Sequence, residues 1–166
     1  VETLRVAVIT VSTSVAAGER EDRSGELLAE LARKGGLEVA ARETVPDDRE
    51  AIEAALRRHS VPPNGVSLVL TTGGTGLTPD DVTPEATRAV INREVPGIAE
   101  ALRAESRKYT PMGMLSREVA GAVGETLIVN FPGSPKAVEQ LFGVIAPVLE
   151  HAVALLQRKH GPAASH

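Results

Sequence analysis

Apolar and polar positions alternate along this chain with two periods. Leu4 to Val11 reads Leu-Arg-Val-Ala-Val-Ile-Thr-Val, a β-branched and nearly continuous apolar run. Runs of this kind mark strands buried on both faces of a parallel sheet. Ser12 to Gly18 is small and polar, which predicts a loop at that strand's C-terminal end. From Asp22 to Lys34 the spacing turns helical, with Leu27, Leu28 and Leu31 on one side, and Gly35-Gly36 ends the helix. Leu37 to Val45 predicts a second strand, stopped by Pro46. Asp47 or Asp48 can cap the next helix, Arg49 to Arg58.

Val61-Pro62-Pro63-Asn64-Gly65 predicts a turn into a third strand over residues 66–71. After a glycine-rich loop, Thr83-Pro84-Glu85 predicts a helix start with Thr83 capping and proline at the first helical position. Pro96-Gly97 is expected to break that helix, with another from Ile98 to Lys108. Leu115 to Val123 and Thr126 to Asn130 predict strands around a Gly124-Glu125 turn. Phe131 to Pro135 then opens a helix at Lys136 that runs, with one break near Pro147, to Lys159.

This alternation predicts an α/β fold, a three-layer αβα sandwich with a mostly parallel sheet. The expected organisation is a single domain over residues 1–160 and a flexible tail over 161–166. Ligands of such folds sit beyond the C-terminal ends of the strands, at a topological switch point. Polar loops fall at those ends over Ser12 to Gly18, Pro46 to Asp48, Gly73 to Asp81 and Pro132 to Lys136.

Composition narrows the chemistry. Aromatics are 2% of 166 residues, so base stacking is a poor route to binding. A net charge of −4 without a dense Lys/Arg run also argues against a nucleic-acid or membrane-surface partner. With no cysteine, disulfides and thiolate metal sites are excluded. His59, His151, His160 and His166 lack metal-ligand spacing and read as surface residues. No apolar stretch is read as long enough to span a membrane, and the N-terminus lacks a signal peptide's pattern, so a cytoplasmic protein is expected.

The most informative stretch is Thr71-Thr-Gly-Gly-Thr-Gly-Leu-Thr-Pro-Asp-Asp-Val-Thr-Pro84, between the third strand and a helix. Glycines let backbone amides approach an anion, threonine hydroxyls add donors, and the helix N-terminus adds a favourable dipole. No lysine follows Gly76, so the stretch is not a Walker loop. Pro79 stands where the third glycine of a dinucleotide fingerprint belongs. Asp47, Asp48, Asp80 and Asp81 can be helix-start residues, yet both pairs stand at strand C-terminal ends, one beside this anion-binding loop and one within it. Carboxylates beside phosphates point to Mg²⁺ held between them, hence to metal-assisted phosphoryl or nucleotidyl chemistry. Phe131-Pro-Gly-Ser-Pro-Lys136 is a second anion-binding candidate, and Ser116-Arg117 could supply a further hydroxyl and guanidinium.

On four segments the chain resembles the molybdenum cofactor biosynthesis family of bacterial MogA and MoaB and the G domains of plant Cnx proteins and gephyrin. They are Glu21-Asp22-Arg23-Ser24-Gly25, Thr71 to Gly76 with Asp81 to Thr87, Thr110 to Arg117, and Pro132-Gly133-Ser134-Pro135-Lys136. The resemblance extends from Leu4 to Leu156. It implies molybdopterin adenylyltransferase activity: Mg-ATP adenylylates molybdopterin and releases pyrophosphate. It also implies homotrimers or hexamers and contact with other molybdenum cofactor biosynthesis proteins.

By resemblance, Asp47 and Asp81 are the catalytic carboxylates and organise Mg²⁺. Gly73, Gly74, Thr75 and Gly76 would cradle phosphate, with Ser12, Thr72 and Thr83 nearby. Ser116, Arg117, Pro132, Gly133, Ser134 and Lys136 would anchor the pterin phosphate or the nucleotide. Many members have Asp or Asn where this chain has Thr13, and several adenylylating members have arginine where it has Asp80. MoaB-type relatives without transferase activity keep open a non-catalytic molybdopterin-binding or assembly role; retention of both Asp47 and Asp81 favours the enzyme.

Overall fold

Residues 3–63 and 65–158 are described by a computed structural model, and they fold around one six-stranded sheet. Along the chain run β1 (Arg5–Val11), α1 (Thr13–Ala16), α2 (Arg23–Lys34), β2 (Glu38–Val45), α3 (Arg49–Ser60), β3 (Leu68–Thr72) and α4 (Thr83–Val90). There follow β4 (Arg93–Glu94), α5 (Pro96–Ser106), a 3-10 turn (Pro111–Leu115), β5 (Ala120–Val123), β6 (Thr126–Phe131) and α6 (Pro135–Leu156). The strand order is β2-β1-β3-β6-β5-β4. The first four are parallel, and β5 and β4 add an antiparallel edge.

Strand alternation sorts the core into two faces. Val6, Val8, Leu68, Leu70, Leu127, Val129 and Phe131 pack with residues of α2, α5 and α6. Ala7, Ile9, Val11, Val69 and Ile128 pack with residues of α3 and α4 on the other face. This is the three-layer sandwich that the apolar runs predict, because a strand without a polar face must be covered twice. In α2, Leu28 is buried while Leu27 and Leu31 lie partly buried against the same cluster. The switch point lies between β1 and β3, where the chain leaves toward β2 on one side and β3 on the other.

Several local expectations are corrected. The Ser12–Gly18 segment contains the short helix α1, capped by Ser12, whose Oγ accepts from the Val15 amide at 3.3 Å. The third strand begins at Leu68 rather than residue 66 and continues to Thr72. Thr83 is not the cap of α4: Val82 holds that position without a side-chain bond, and Thr83 is the first helical residue. Its hydroxyl donates instead to the Gly73 carbonyl at 2.9 Å. That helix stops at Val90, before Pro96, because Asn92 and Val95 donate their amides to Ala122 and Ala120 and so extend the sheet edge.

Pro96 opens α5 rather than preceding it. The predicted strand from Leu115 begins only at Ala120. Thr110 caps the 3-10 turn, and the carbonyls of Ser116 and Glu118 accept from the Arg103 guanidinium rather than from a neighbouring strand. No break occurs at Pro147 in α6. Proline removes only the one amide that would reach back to Gly143, and apolar residues on both sides of it, Ile145 and Leu149, hold the helix to the core. At 22 residues, with an 18-residue stretch of mean hydropathy 1.4, α6 is long and apolar enough to cross a membrane, contrary to the reading of the sequence. Val138, Leu141, Phe142, Ile145, Leu149 and Val153 bury its inner side against the sheet layer. His59 is largely covered, and its Nε2 lies 2.8 Å from Glu43. The expected end of α6 at Lys159, the 161–166 tail, Asn64 of the predicted turn, and His160 and His166 lie outside the described residues.

Candidate functional site

Beyond the C-terminal ends of β1, β2 and β3 lies a cleft of about 720 Å³. Of the residues expected at a site, Ser12, Asp47, Thr72, Gly73, Gly74, Asp81 and Gly133 line it. Thr75, Gly76, Thr83, Ser116, Arg117, Pro132, Ser134 and Lys136 do not. Arg20 and Arg23 also line it, together with Thr10, Glu21 and Ser24.

The glycine loop is built by close approach. Gly73 and Gly74 have φ of +104° and +71°, values that side-chain-bearing residues rarely adopt. A Cβ at Gly73 would sit 2.3 Å from the Val11 carbonyl oxygen, and one at Gly74 would sit 2.3 Å from the Thr83 hydroxyl. The surrounding hydroxyls hold the loop from within. Thr72 donates to the Pro132 carbonyl at 2.7 Å, tying the loop to the one after β6. The Thr83 amide donates to the Gly74 carbonyl at 3.1 Å while its hydroxyl takes Gly73. Beneath α4, buried Asn130 donates to the hydroxyls of Thr71 and Thr87, both at 3.0 Å, and its own oxygen accepts from the Val119 amide. Such a satisfied buried network fixes the helix on the sheet at one place.

Each acidic dipeptide divides its labour. Asp48 caps α3, accepting from the Ala51 amide at 2.9 Å, which leaves Asp47 for other use. Asp47 Oδ2 accepts from the Thr13 amide at 3.0 Å and the Thr13 hydroxyl at 3.1 Å. The Asp47 amide donates back to the same hydroxyl oxygen at 3.0 Å. Asp81 Oδ2 accepts from the Thr78 amide at 3.0 Å and the Thr78 hydroxyl at 2.8 Å. Asp80 is exposed.

Arg117 acts from behind the loop. Its guanidinium pairs with Glu85 through two bonds, at 2.7 and 3.2 Å, and donates to the carbonyls of Gly76 and Asp81, both at 2.8 Å. The Arg117 hydrogen bonds hold the Glu85 carboxyl below its ordinary pKa, and the pairing raises that of Arg117. Ser116 donates its hydroxyl to the buried Glu118 carboxylate. Burial pushes the Glu118 carboxyl up, and its Oε1 has no partner among the described residues. Ser134 caps α6, accepting from the Ala137 amide at 3.0 Å, and Lys136 is exposed on that helix's first turn.

Arg20 is a charged lining residue that sequence reasoning missed altogether, since a lone arginine in a polar loop carries no pattern. Arg23 and Ser24 belong to a segment already singled out, but only the fold assigns them to the cleft. Asp22 secures that segment: it accepts from the Thr10 hydroxyl at 2.9 Å, the Gly25 amide at 3.0 Å and Arg42 at 3.0 Å. The cleft is therefore lined by Arg20, Glu21 and the first residue of α2, Arg23, and by the carboxylates of Asp47 and Asp81 from other loops, over a glycine floor. That arrangement can hold a polyanion and a cation together.

Known proteins match along nearly the whole length. Residues 7–151 match the family described as a probable molybdopterin binding domain. A molybdopterin adenylyltransferase of Helicobacter pylori (strain J99) is 35% identical over 157 residues, covering 93% of this chain and 89% of that protein. The crystal structure of the molybdopterin biosynthesis enzyme MoaB of Thermus thermophilus superposes with a TM-score of 0.86 at 47% identity, covering 93% of this chain and 96% of that one. The molybdenum cofactor synthesis protein cinnamon of Drosophila melanogaster is 38% identical over 157 residues, 93% of this chain, which spans only 26% of that protein. With the model match spanning 7–151, the chain belongs to the molybdopterin-binding family of molybdenum cofactor biosynthesis.

Proposed function

We propose that this chain is a molybdopterin adenylyltransferase, moving AMP from ATP to the terminal phosphate of molybdopterin. An oxygen of that phosphate attacks the α-phosphorus of ATP. The bond from α-phosphorus to the bridging oxygen breaks, and pyrophosphate leaves with its electron pair. The observation that carries this reading is that Asp47 and Asp81, from two different strand ends, line one cleft with Gly73 and Gly74. Two polyanions must be held in line, so positioning and charge neutralisation provide most of the rate.

Mg²⁺ suits this donor set. Asp47 and Asp81 offer hard oxygen ligands, and each has one carboxylate oxygen, Oδ1, without a protein donor among the described residues. Those residues contain no cluster of three or more His, Cys, Asp or Glu placed to enclose a metal. One or two carboxylates plus phosphate oxygens are the usual complement for Mg²⁺. When bound, the ion supplies charge neutralisation at the phosphates. The chain's own residues do the rest: the glycine floor lets phosphate approach the backbone, Arg20 and Arg23 balance its charge, and Arg117 fixes the loop carbonyls of Gly76 and Asp81.

The reading extends to a homotrimer or hexamer in the cytoplasm, where Mg-ATP is available, acting beside other molybdenum cofactor biosynthesis proteins. The chain's correspondence to one part of the longer cinnamon protein supports the last point. The test is incubation of the purified chain with molybdopterin and Mg-ATP, scoring adenylylated product and pyrophosphate. Molybdopterin binding without product would replace transfer by a non-catalytic binding role.

A further inference from the structure

Asp47 and Asp81 reach the cleft from unrelated loops, yet they are held in the same manner. In each, a single threonine aims its amide and its hydroxyl at Oδ2, at distances between 2.8 and 3.1 Å. In each, Oδ1 meets no donor among the described residues. Thr78 is three residues from Asp81, so a local turn alone could account for that clamp. Thr13 is 34 residues from Asp47, and no local turn spans that separation. The Thr13 hydroxyl is further fixed because its oxygen accepts the Asp47 amide while its proton serves the carboxylate. On the other side, Gly76 gives Asp81 its room, since a Cβ there would sit 2.8 Å from Oδ2.

We infer that Thr13 and Thr78 are paired positioning residues for the transfer, each occupying one oxygen of a cleft aspartate so that the other stays available to a cation. The physical reason is rotational. An aspartate on a loop can swing about χ2 and present either oxygen, or both, in turn. Two donors on one oxygen select a single orientation, and outer-shell partners of this kind commonly change affinity or activity by about 10- to 100-fold. Thr13 thereby gains a role of its own, although this position departs from the pattern the family resemblance suggests. The inference rests on the transferase reading of the cleft.

The experiment uses the full chain with Thr13→Val, Thr78→Val and the double variant. Valine keeps shape and amide and deletes only the hydroxyl. Thr13→Ser and Thr78→Ser serve as rescues, and Thr13→Ala and Thr78→Ala replace any valine variant that does not fold. Adenylyl transfer is measured while Mg²⁺ is titrated. Separately, Mn²⁺ binding in the presence of ATP is followed by electron paramagnetic resonance without molybdopterin. Each valine variant is expected to lose about tenfold in kcat and in Mn²⁺ affinity, with its melting temperature nearly unchanged and serine restoring both.

Folded valine variants with wild-type kcat and Mn²⁺ affinity would overturn the clamps while leaving the transfer reading intact. So would serine variants as impaired as the valine ones, since the methyl group rather than the hydroxyl would then matter. A wild-type chain that makes no product, but whose Mn²⁺ affinity still follows the two hydroxyls, would sink the transfer reading and keep the clamps. A wild-type chain that binds no Mn²⁺ with ATP would overturn the clamps.

Discussion

Asp47-Asp48 and Asp80-Asp81 are the same dipeptide in the loops that follow β2 and β3, on either side of β1, and their residues take opposite roles. In the first pair the leading residue lines the cleft and the trailing one caps a helix. In the second the trailing residue lines the cleft and the leading one is exposed. The cause is the distance to the next helix. Helix α3 starts at Arg49, directly after Asp48, so its free amides claim that side chain. Helix α4 starts at Thr83, two residues beyond Asp81, and its cap position falls on Val82. Asp81 thus faces Thr78 and the cleft rather than a helix end. An acidic residue's role here is set by which donors the backbone offers it.

The sharpest way to break the comparison is to neutralise the two cleft carboxylates. Asp47→Asn and Asp81→Asn should each lower adenylyl transfer by roughly a hundredfold or more, the scale of losing a preorganised charge at a reacting centre. Gel filtration and circular dichroism should show the fold unchanged. If either variant transfers at the wild-type rate, that residue's assignment fails.

Acid should separate the two sides next. The Asp81 carbonyl is held by Arg117, which is itself held by Glu85. The folded pKa of Glu85 lies below its ordinary value of 4.5, so its contribution to stability is present above that value and is lost as pH falls through the lowered folded value. Both side chains are about a third exposed, at 34% and 37%, so solvent screening limits the pair to about 1 kcal/mol. Urea melts of Glu85→Gln should show that deficit at pH 7 and show it closing in strong acid. A deficit independent of pH would mean that the glutamine is tolerated or rejected for its shape.

Asp48→Ala should cost about 1 kcal/mol of stability through the lost cap and leave kcat where it was. A large kcat loss with stability intact would reverse the roles of the first pair. The smallest effect belongs to Asp80→Arg. Replacing an exposed carboxylate with a cation beside the phosphate loop should lower KM for ATP by about two- to threefold at low salt, an effect that fades near 1 M salt. Equal improvement at all salt concentrations would point to a direct contact rather than a surface field.

Much of the fold was legible because its signals are local. Continuous apolar runs mark β1, β3 and β6, and glycine pairs and prolines mark most ends. The misreadings share a physical origin in partners distant along the chain. Helix α4 ends before Pro96 because Asn92 and Val95 find carbonyls on β5. The strand expected from Leu115 is delayed because Arg103 takes the carbonyls of Ser116 and Glu118. Pro147 fails to break α6 because packing on both sides outweighs one missing amide. In the site, the glycines and both aspartates were readable as types, whereas Arg20 was not, since nothing adjacent gives it a pattern.

The sequence by itself determined that a β-branched strand empties into Gly73 to Gly76, that acidic pairs stand at two strand ends, and that the segments resemble one family. These features follow from residue type and spacing, which act over a few residues. Only the tertiary structure decided that Asp47 and Asp81 line one cleft together with Arg20, and that Thr72 and Thr83 brace the glycine loop by donating to the Pro132 and Gly73 carbonyls. It also set Arg117 against Glu85 and Thr13 against Asp47, 32 and 34 residues apart. Hydrogen bonds over such separations exist only once β1 lies beside β2 and β6 joins β3 to β5, because until then the donors and acceptors are paired with water.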